Sequence, residues 1–422
     1  NALLGKCVVS LCLYLSDIKK GAAHKNLHNH NVVNKRTLPA FFMMNGMAMM
    51  IKTAFALFLA SAANIAALHL PQHHRTSRRK LIASTAATTF SIFAPPSIAN
   101  ADGFKQWTCD EITPNLCDDL EVETGSVIIR NIPVKYWRYN KRKNKKSNTD
   151  ESIGSSYPII CCHGGPGYTH NYMLPLKQLA CSNSNREVIF YDQAGCGAST
   201  LRQGKSVSTS EYPHLLDPAY YSEEELPALI EHLNLEKYHV LGHSWGTILA
   251  QLFALNAKDT SGLQSLILSG PISDSQSYIA AQWEEKEGNL GSLPPFVQSR
   301  IRALENEGAY NSPEYGAIND VLTTFFTLRT APAPDCFTAA VDGLNEEVYV
   351  GMQGPSEFTI SGTLADFNVT PRLHEINVPV LLTHGVFDTM RPSIVKTMER
   401  ELKKGAGAER VLFPHSGHVS MI

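Results

Sequence analysis

Five residues past the middle of the chain, Gly242-His243-Ser244-Trp245-Gly246, constrain it more than any other feature. They follow an apolar, β-branched run ending at Leu241 and precede a helix-forming run from Ile248. A serine between two glycines, with a strand before and a helix after, marks a sharp strand-to-helix turn. The residues two positions either side must be small, because the turn folds backbone against them. Such a turn lifts the serine hydroxyl clear of the strand and aims the next N–H at the same point. The pentapeptide alone is a weak pattern; the flanking strand and helix make it specific. Ser244 is the candidate nucleophile and the Trp245 N–H a candidate oxyanion donor.

A serine hydroxyl is a poor nucleophile unless a base takes its proton. On this kind of turn the base is a histidine on a late loop, with an acid before it in the chain. His418, in Pro414-His415-Ser416-Gly417-His418, follows the apolar run Arg410–Phe413. His415 competes for the role, but His418 stands where the base belongs past that strand. Asp388 follows the run Val378–Thr383 and would hold the imidazole tautomer; the competing reading is a surface-turn aspartate. His163-Gly164-Gly165-Pro166-Gly167, after the run Tyr157–Cys162, supplies a second backbone donor, assigned to the Gly165 N–H. The Walker pattern is absent, so these glycines do not read as a phosphate loop.

Around these motifs the chain alternates. Val127–Ile129 and Val134–Trp137 read as two antiparallel strands. Tyr157–Cys162, Glu187–Tyr191, Tyr238–Leu241, Leu266–Leu268, Val378–Thr383 and Arg410–Phe413 read as further short strands. Helical segments such as Ser222–Leu233 and Ile248–Ala257 lie between several of them. This predicts an α/β class with a mostly parallel sheet and helices on both faces. From Pro271 to Gly362 the alternation stops in a helix-rich stretch carrying Pro294-Pro295 and Pro332-Ala333-Pro334. It reads as a helical cap inserted between the sixth and seventh strands, so that residues 102–270 and 363–422 form the core. The chain stops at Ile422, soon after His418, where a closing helix is expected; a truncated C-terminus is the expectation.

Composition excludes little. With 43% apolar and 18% charged residues the chain can bury a sizeable core, and a net charge of −2 gives no reason to invoke nucleic acid. The run Lys141–Lys146 reads as a solvated hairpin loop. The nine cysteines show no paired C-x-x-C spacing for a metal. Cys161-Cys162 reads as core. Cys109 and Cys117 flank a proline-containing turn and could form a disulfide in an oxidising compartment; the spacing equally allows two free thiols.

Residues 1–101 read as a leader rather than fold. The first methionine is Met43, and residues 1–42 are either upstream read-through or protein. Ala54–Leu70 follows Lys52 and resembles a signal-peptide apolar region. Arg75, Arg78, Arg79 and Lys80 then precede the apolar stretch Leu81–Ala94 and an Ala99-Asn100-Ala101 cleavage pattern, resembling a twin-arginine export signal. Two such signals in series resemble a two-part plastid presequence directed to the thylakoid lumen. Cleavage would leave a mature protein that starts near Asp102, with no membrane segment. A single membrane anchor, or a cytoplasmic or secreted destination, are the competing readings.

His163–Gly167, Tyr191-Asp192-Gln193-Ala194-Gly195-Cys196-Gly197-Ala198-Ser199 and Gly242–Gly246 together resemble the proline iminopeptidases, a family of α/β-hydrolases. The resemblance runs from about residue 120 to 422. The cap segment Gly351–Thr363 is similar to the branch that holds the tricorn-interacting factors and amino-acid amidases. The resemblance implies the α/β-hydrolase fold and a serine exopeptidase releasing one N-terminal residue, proline or small apolar, through an acyl-enzyme. It also implies short peptides or aminoacyl amides with a free N-terminus as partners, and neither cofactor nor metal. In the family a cap glutamate grips the substrate's ammonium group, and Glu357 matches it; a structural carboxylate bracing the cap is the plainer reading. Thr389 stands where the branch often has a second acid, which leaves amidase or esterase activity open. Ala194 replaces the arginine usual in the wider family. Asp192 and Gln193 are expected to shape the strand-end loop. An intact serine, aspartate and histidine argue against an inactive binding module, and a serine at the turn excludes chemistry that needs an aspartate nucleophile there.

Overall fold

The computed structural model describes residues 107–113, 116, 120–140, 157–181, 186–201 and 207–422. The leader motifs, Cys117 and the Lys141–Lys146 run lie outside them.

Eight strands make one sheet: β1 (Val122–Ile129), β2 (Ile132–Tyr139), β3 (Ile159–Cys162), β4 (Val188–Tyr191), β5 (Tyr238–His243), β6 (Leu263–Ser269), β7 (Val380–Gly385) and β8 (Ala408–Phe413). Their spatial order is β1-β2-β4-β3-β5-β6-β7-β8. β1 and β2 form an antiparallel hairpin and β2 pairs antiparallel with β4; every later pairing is parallel. The hairpin turn is Arg130-Asn131, both at positive φ, as a two-residue connection that matches strand twist requires. β3, β4, β5 and β7 are buried along their whole length. Continuous apolar runs such as Ile159-Ile160-Cys161-Cys162 suit strands covered on both faces. β2 alternates buried and half-buried residues, as befits a strand near the edge.

The helices are α1 (Cys109–Ile112), α2 (Leu226–His232), α3 (Trp245–Asn256), α4 (Ser275–Gln282), α5 (Pro295–Asn306), α6 (Pro313–Leu322), α7 (Asp335–Asp342), α8 (Glu346–Met352) and α9 (Pro392–Leu402). α9 buries Ile394, Val395, Met398 and Leu402, one stripe at helical spacing, and presents its charges outward. The segment read as one helix from Ser222 is divided: a π-helical stretch, Tyr220–Glu225, leads into α2. Pro227 lacks the N–H that a continuous ladder would need there. Helices α4 to α8 all lie between β6 and β7. Part of this region has its own apolar cluster, including Leu290, Val297, Ile301, Ile318, Leu322 and Phe358.

One sequence expectation fails here. Cys109 is bonded to Cys336 at the start of α7, not to Cys117; the Cα atoms are 5.7 Å apart. The segment carrying Cys109 meets the first residues of α7. The Cys109 N–H donates to Asp335 Oδ1 (2.8 Å) and the Asp335 N–H donates to the Trp107 carbonyl (3.0 Å). Local spacing could not reveal a partner 227 residues away.

Candidate active site

β5 ends at His243, α3 begins at Trp245, and Ser244 between them has φ 55° and ψ −123°. A non-glycine residue held there costs about 1–3 kcal/mol, which the surrounding packing must offset. A Cβ on Gly242 would lie 2.1 Å from the Gly246 carbonyl oxygen, and one on Gly246 would lie 2.2 Å from that of Cys162. Both glycines are therefore required by close approach. The Ser244 N–H donates to the Ser269 carbonyl (3.0 Å), tying the turn to β6. Trp245 opens α3, so its N–H has no partner within the helix and sits at the positive end of the dipole. The glycine loop after β3 packs directly on the nucleophile: a Cβ on Gly164 would be 2.9 Å from that of Ser244.

Asp388 follows β7 and His418 follows β8. Their side chains meet at 2.7 Å, Nδ1 of His418 donating to Oδ1 of Asp388. Asp388 is fully buried and also accepts the Met390 N–H at 2.8 Å. With Nδ1 protonated, Nε2 of His418 carries the lone pair, and it is buried without a hydrogen-bond partner. His415 is exposed, and its carbonyl accepts Arg329 Nε at 3.1 Å. Burial opposes both charges of the pair, yet their mutual attraction prevails: the Asp388 carboxyl is held below its ordinary value and the His418 imidazole above its own. Glu357 adds to the rise at His418.

Two supports of this pair escaped the sequence reading. Gly270 follows β6 at positive φ, and a Cβ there would stand 2.7 Å from His418 Cε1, so its smallness makes room for the imidazole. A relay also joins three loops. The Gly164 N–H donates to the Tyr172 hydroxyl (2.7 Å), that hydroxyl donates to His243 Nδ1 (2.8 Å), and His243 Nε2 donates to the His418 carbonyl (3.0 Å). Burial lowers His243 to about 3, keeping it neutral as this pattern requires. The only signal in the sequence was a histidine inside the turn motif.

Asp192 and Gln193 brace the strand-end loop. Asp192 accepts the His170 N–H (3.0 Å) and ring (2.7 Å) and the Ala198 N–H (2.9 Å). Gln193 donates to the His163 carbonyl and accepts the Trp245 indole N–H, linking the glycine loop to the turn. The Ala194 N–H donates to Glu225, whose carboxyl burial pushes up to about 8.

From the cap, Glu357 reaches the same cavity as Ser244 and His418. Its Oε2 accepts the Tyr349 hydroxyl at 3.1 Å, and its backbone carbonyl accepts that of Tyr278. Burial raises the Glu357 carboxyl, which His418 and Tyr349 partly offset. Thr389 is fully buried beside Tyr278 and offers no charge.

A strained serine that shares a cavity with the glycine loop and a buried imidazole–carboxylate pair has the groups that covalent attack on a carbonyl needs. Fold and site together define a serine hydrolase of the α/β-hydrolase class. The family model for the alpha/beta hydrolase fold matches residues 157–309. A proline iminopeptidase of Lactobacillus crispatus is 34% identical over 289 residues, covering 68% of this chain and 89% of the relative. One of Heyndrickxia coagulans is 38% identical over 245 residues, covering 58% and 78%. Among solved structures, the proline iminopeptidase of Mycobacterium smegmatis matches with a TM-score of 0.57 and 26% identity, covering 70% of this chain and 92% of that one. The chain belongs to the proline iminopeptidase family.

Proposed function

We propose that this enzyme releases the N-terminal residue, proline or another small apolar one, from short peptides. The observation that carries the reading is Glu357, a carboxylate half-buried in the cavity that holds Ser244 and His418. An exopeptidase must recognise a charged chain end, and a carboxylate close to the nucleophile does so by a charge-assisted hydrogen bond. His418 takes the Ser244 proton as Oγ attacks the carbonyl, and the N–H groups of Gly165 and Trp245 receive the oxyanion. Asp388 holds the imidazole and stabilises its charged form. His418 then protonates the departing amine, and water releases the residue from Ser244 by the same steps in reverse order.

The neutral Thr389 favours a second reading, an amino-acid amidase or esterase on the same frame. Prolyl and alanyl arylamides compared with short acyl esters separate the two. Arylamide turnover supports the peptidase; ester turnover without it overturns that reading. The two serial leader signals support delivery to a plastid, with the thylakoid lumen as destination. N-terminal sequencing of the mature protein should find a start near Asp102, and a start near Met44 would refute this.

A further inference from the structure

Two cavities meet at Ser244, Gly165 and Glu357. The first is walled by Tyr168, Tyr172, Thr327, Phe337, Val419 and the ring of His418. The second is walled by Trp245 and by aliphatic side chains including Ile248, Ile272, Ile360, Leu364 and Met390. Only the first includes His418 in its lining.

We infer that the first cavity is the subsite for the residue following the scissile bond, and that it selects an apolar side chain there. This rests on the acyl-transfer reading above. In the acylation step Ser244 Oγ bonds to the carbonyl carbon and its proton passes to His418 Nε2. The carbon–nitrogen bond breaks as that proton is handed to the leaving nitrogen. The leaving nitrogen must therefore lie on the His418 side, and the residue attached to it continues into the cavity His418 lines. The acyl residue takes the opposite, aliphatic cavity, beside the Trp245 N–H.

Side-chain chemistry points the same way. Two buried polar atoms without partners line the first cavity: His418 Nε2 and Thr327 Oγ1. The first serves the leaving nitrogen. The second can hydrogen-bond the backbone of the residue that leaves. The rings of Tyr168 and Phe337 and the Val419 side chain give the lining apolar surface, and among the described residues Glu357 is its sole carboxylate. An aspartate in that position would meet repulsion and no compensating cation. The wall is also held in place. Phe337 lies on α7, next to the Cys109–Cys336 disulfide, and the Val419 N–H donates to the Thr327 carbonyl at 3.0 Å.

The test uses the full chain and prolyl dipeptide amides Pro-X-NH2, with X as Gly, Ala, Leu, Phe or Asp. kcat/KM should rise from Gly to Phe by about tenfold or more, the range a hydrophobic pocket supplies, and be lowest for Asp. Phe337→Ala should collapse the Phe-to-Gly ratio, and Phe337→Leu should restore most of it. A flat series in the active enzyme, or a ratio unchanged in Phe337→Ala, overturns the assignment. Fluorophosphonate labelling of Ser244 identifies a variant that has failed to fold. If no prolyl amide turns over, the peptidase reading fails separately. Methyl and benzyl acetate then carry the same test, because a leaving alcohol departs on the His418 side too.

Discussion

On the sheet side, Ser244, Asp388 and His418 each follow a strand, β5, β7 and β8, and their positions are set by backbone hydrogen bonds and one buried ion pair. On the cap side, Glu357, Tyr349 and Phe337 come from separate segments held by side-chain packing, two hydroxyl contacts and a disulfide. In the proposed reaction the sheet side supplies the atoms that react. In the same reading the cap side supplies the atoms that distinguish one substrate from another. A parallel sheet places successive strand ends within reach of one another wherever the strands pair, so the reacting set is robust to change in the connections. The cap has no such frame, and its contribution can be altered without touching the reaction.

The comparison can be broken first at the nucleophile. Ser244→Ala should lower kcat at least about 10⁴-fold on prolyl arylamides and acyl esters alike. A loss confined to one substrate class would mean that Ser244 is not the common reacting atom. Glu357→Gln should act in the opposite style. It should cut kcat/KM for free-amine substrates by about 10- to 100-fold, mainly through KM, because the charge that strengthens the hydrogen bond to the ammonium group is lost. N-acylated esters should change far less; equal effects would erase the division between sheet and cap. Cys336→Ser should reduce unfolding free energy by about 2–4 kcal/mol, read from urea denaturation under oxidising conditions. No loss would mean that the N-terminal segment does not brace the cap.

The smallest expected effect sharpens the comparison by crossing it. His418 must be neutral to act as base, and its imidazole is held above the ordinary value by Asp388 and Glu357 although burial opposes this. Activity should therefore fall on the acid side with a midpoint above pH 6.5, its unperturbed value. Glu357→Gln removes one of the two negative charges, so the midpoint for an ester substrate should move to lower pH. A profile that does not move would show that the cap carboxylate is electrically remote from the base.

Legibility follows the same division. The turn around Ser244, the loop around Gly165 and the order of acid before base were readable, since each is a short motif at a strand end and strand ends show as apolar runs. Gly270 was not readable as part of the site. Its role exists only because β6 brings it against the His418 ring from far away in the chain. Tyr172 lies in a 3₁₀ run, His170–Cys181, that has no helical periodicity to single it out, and its value comes from the hydroxyl that joins Gly164 to His243. Glu225 shows the same gap. Next to Glu223 and Glu224 it reads as one more surface acid, whereas in the fold it is fully buried beneath Ala194.

What the sequence determined by itself was the sheet, the turn and the type of reaction, because strand propensity, glycine spacing and motif order act over a few residues at a time. The tertiary structure alone decided that Cys109 joins Cys336, that Thr327 and Phe337 face the nucleophile, and that one cavity contains the base while the other does not. Those are contacts between residues far apart in the chain, and no local pattern encodes which distant surface a side chain will meet.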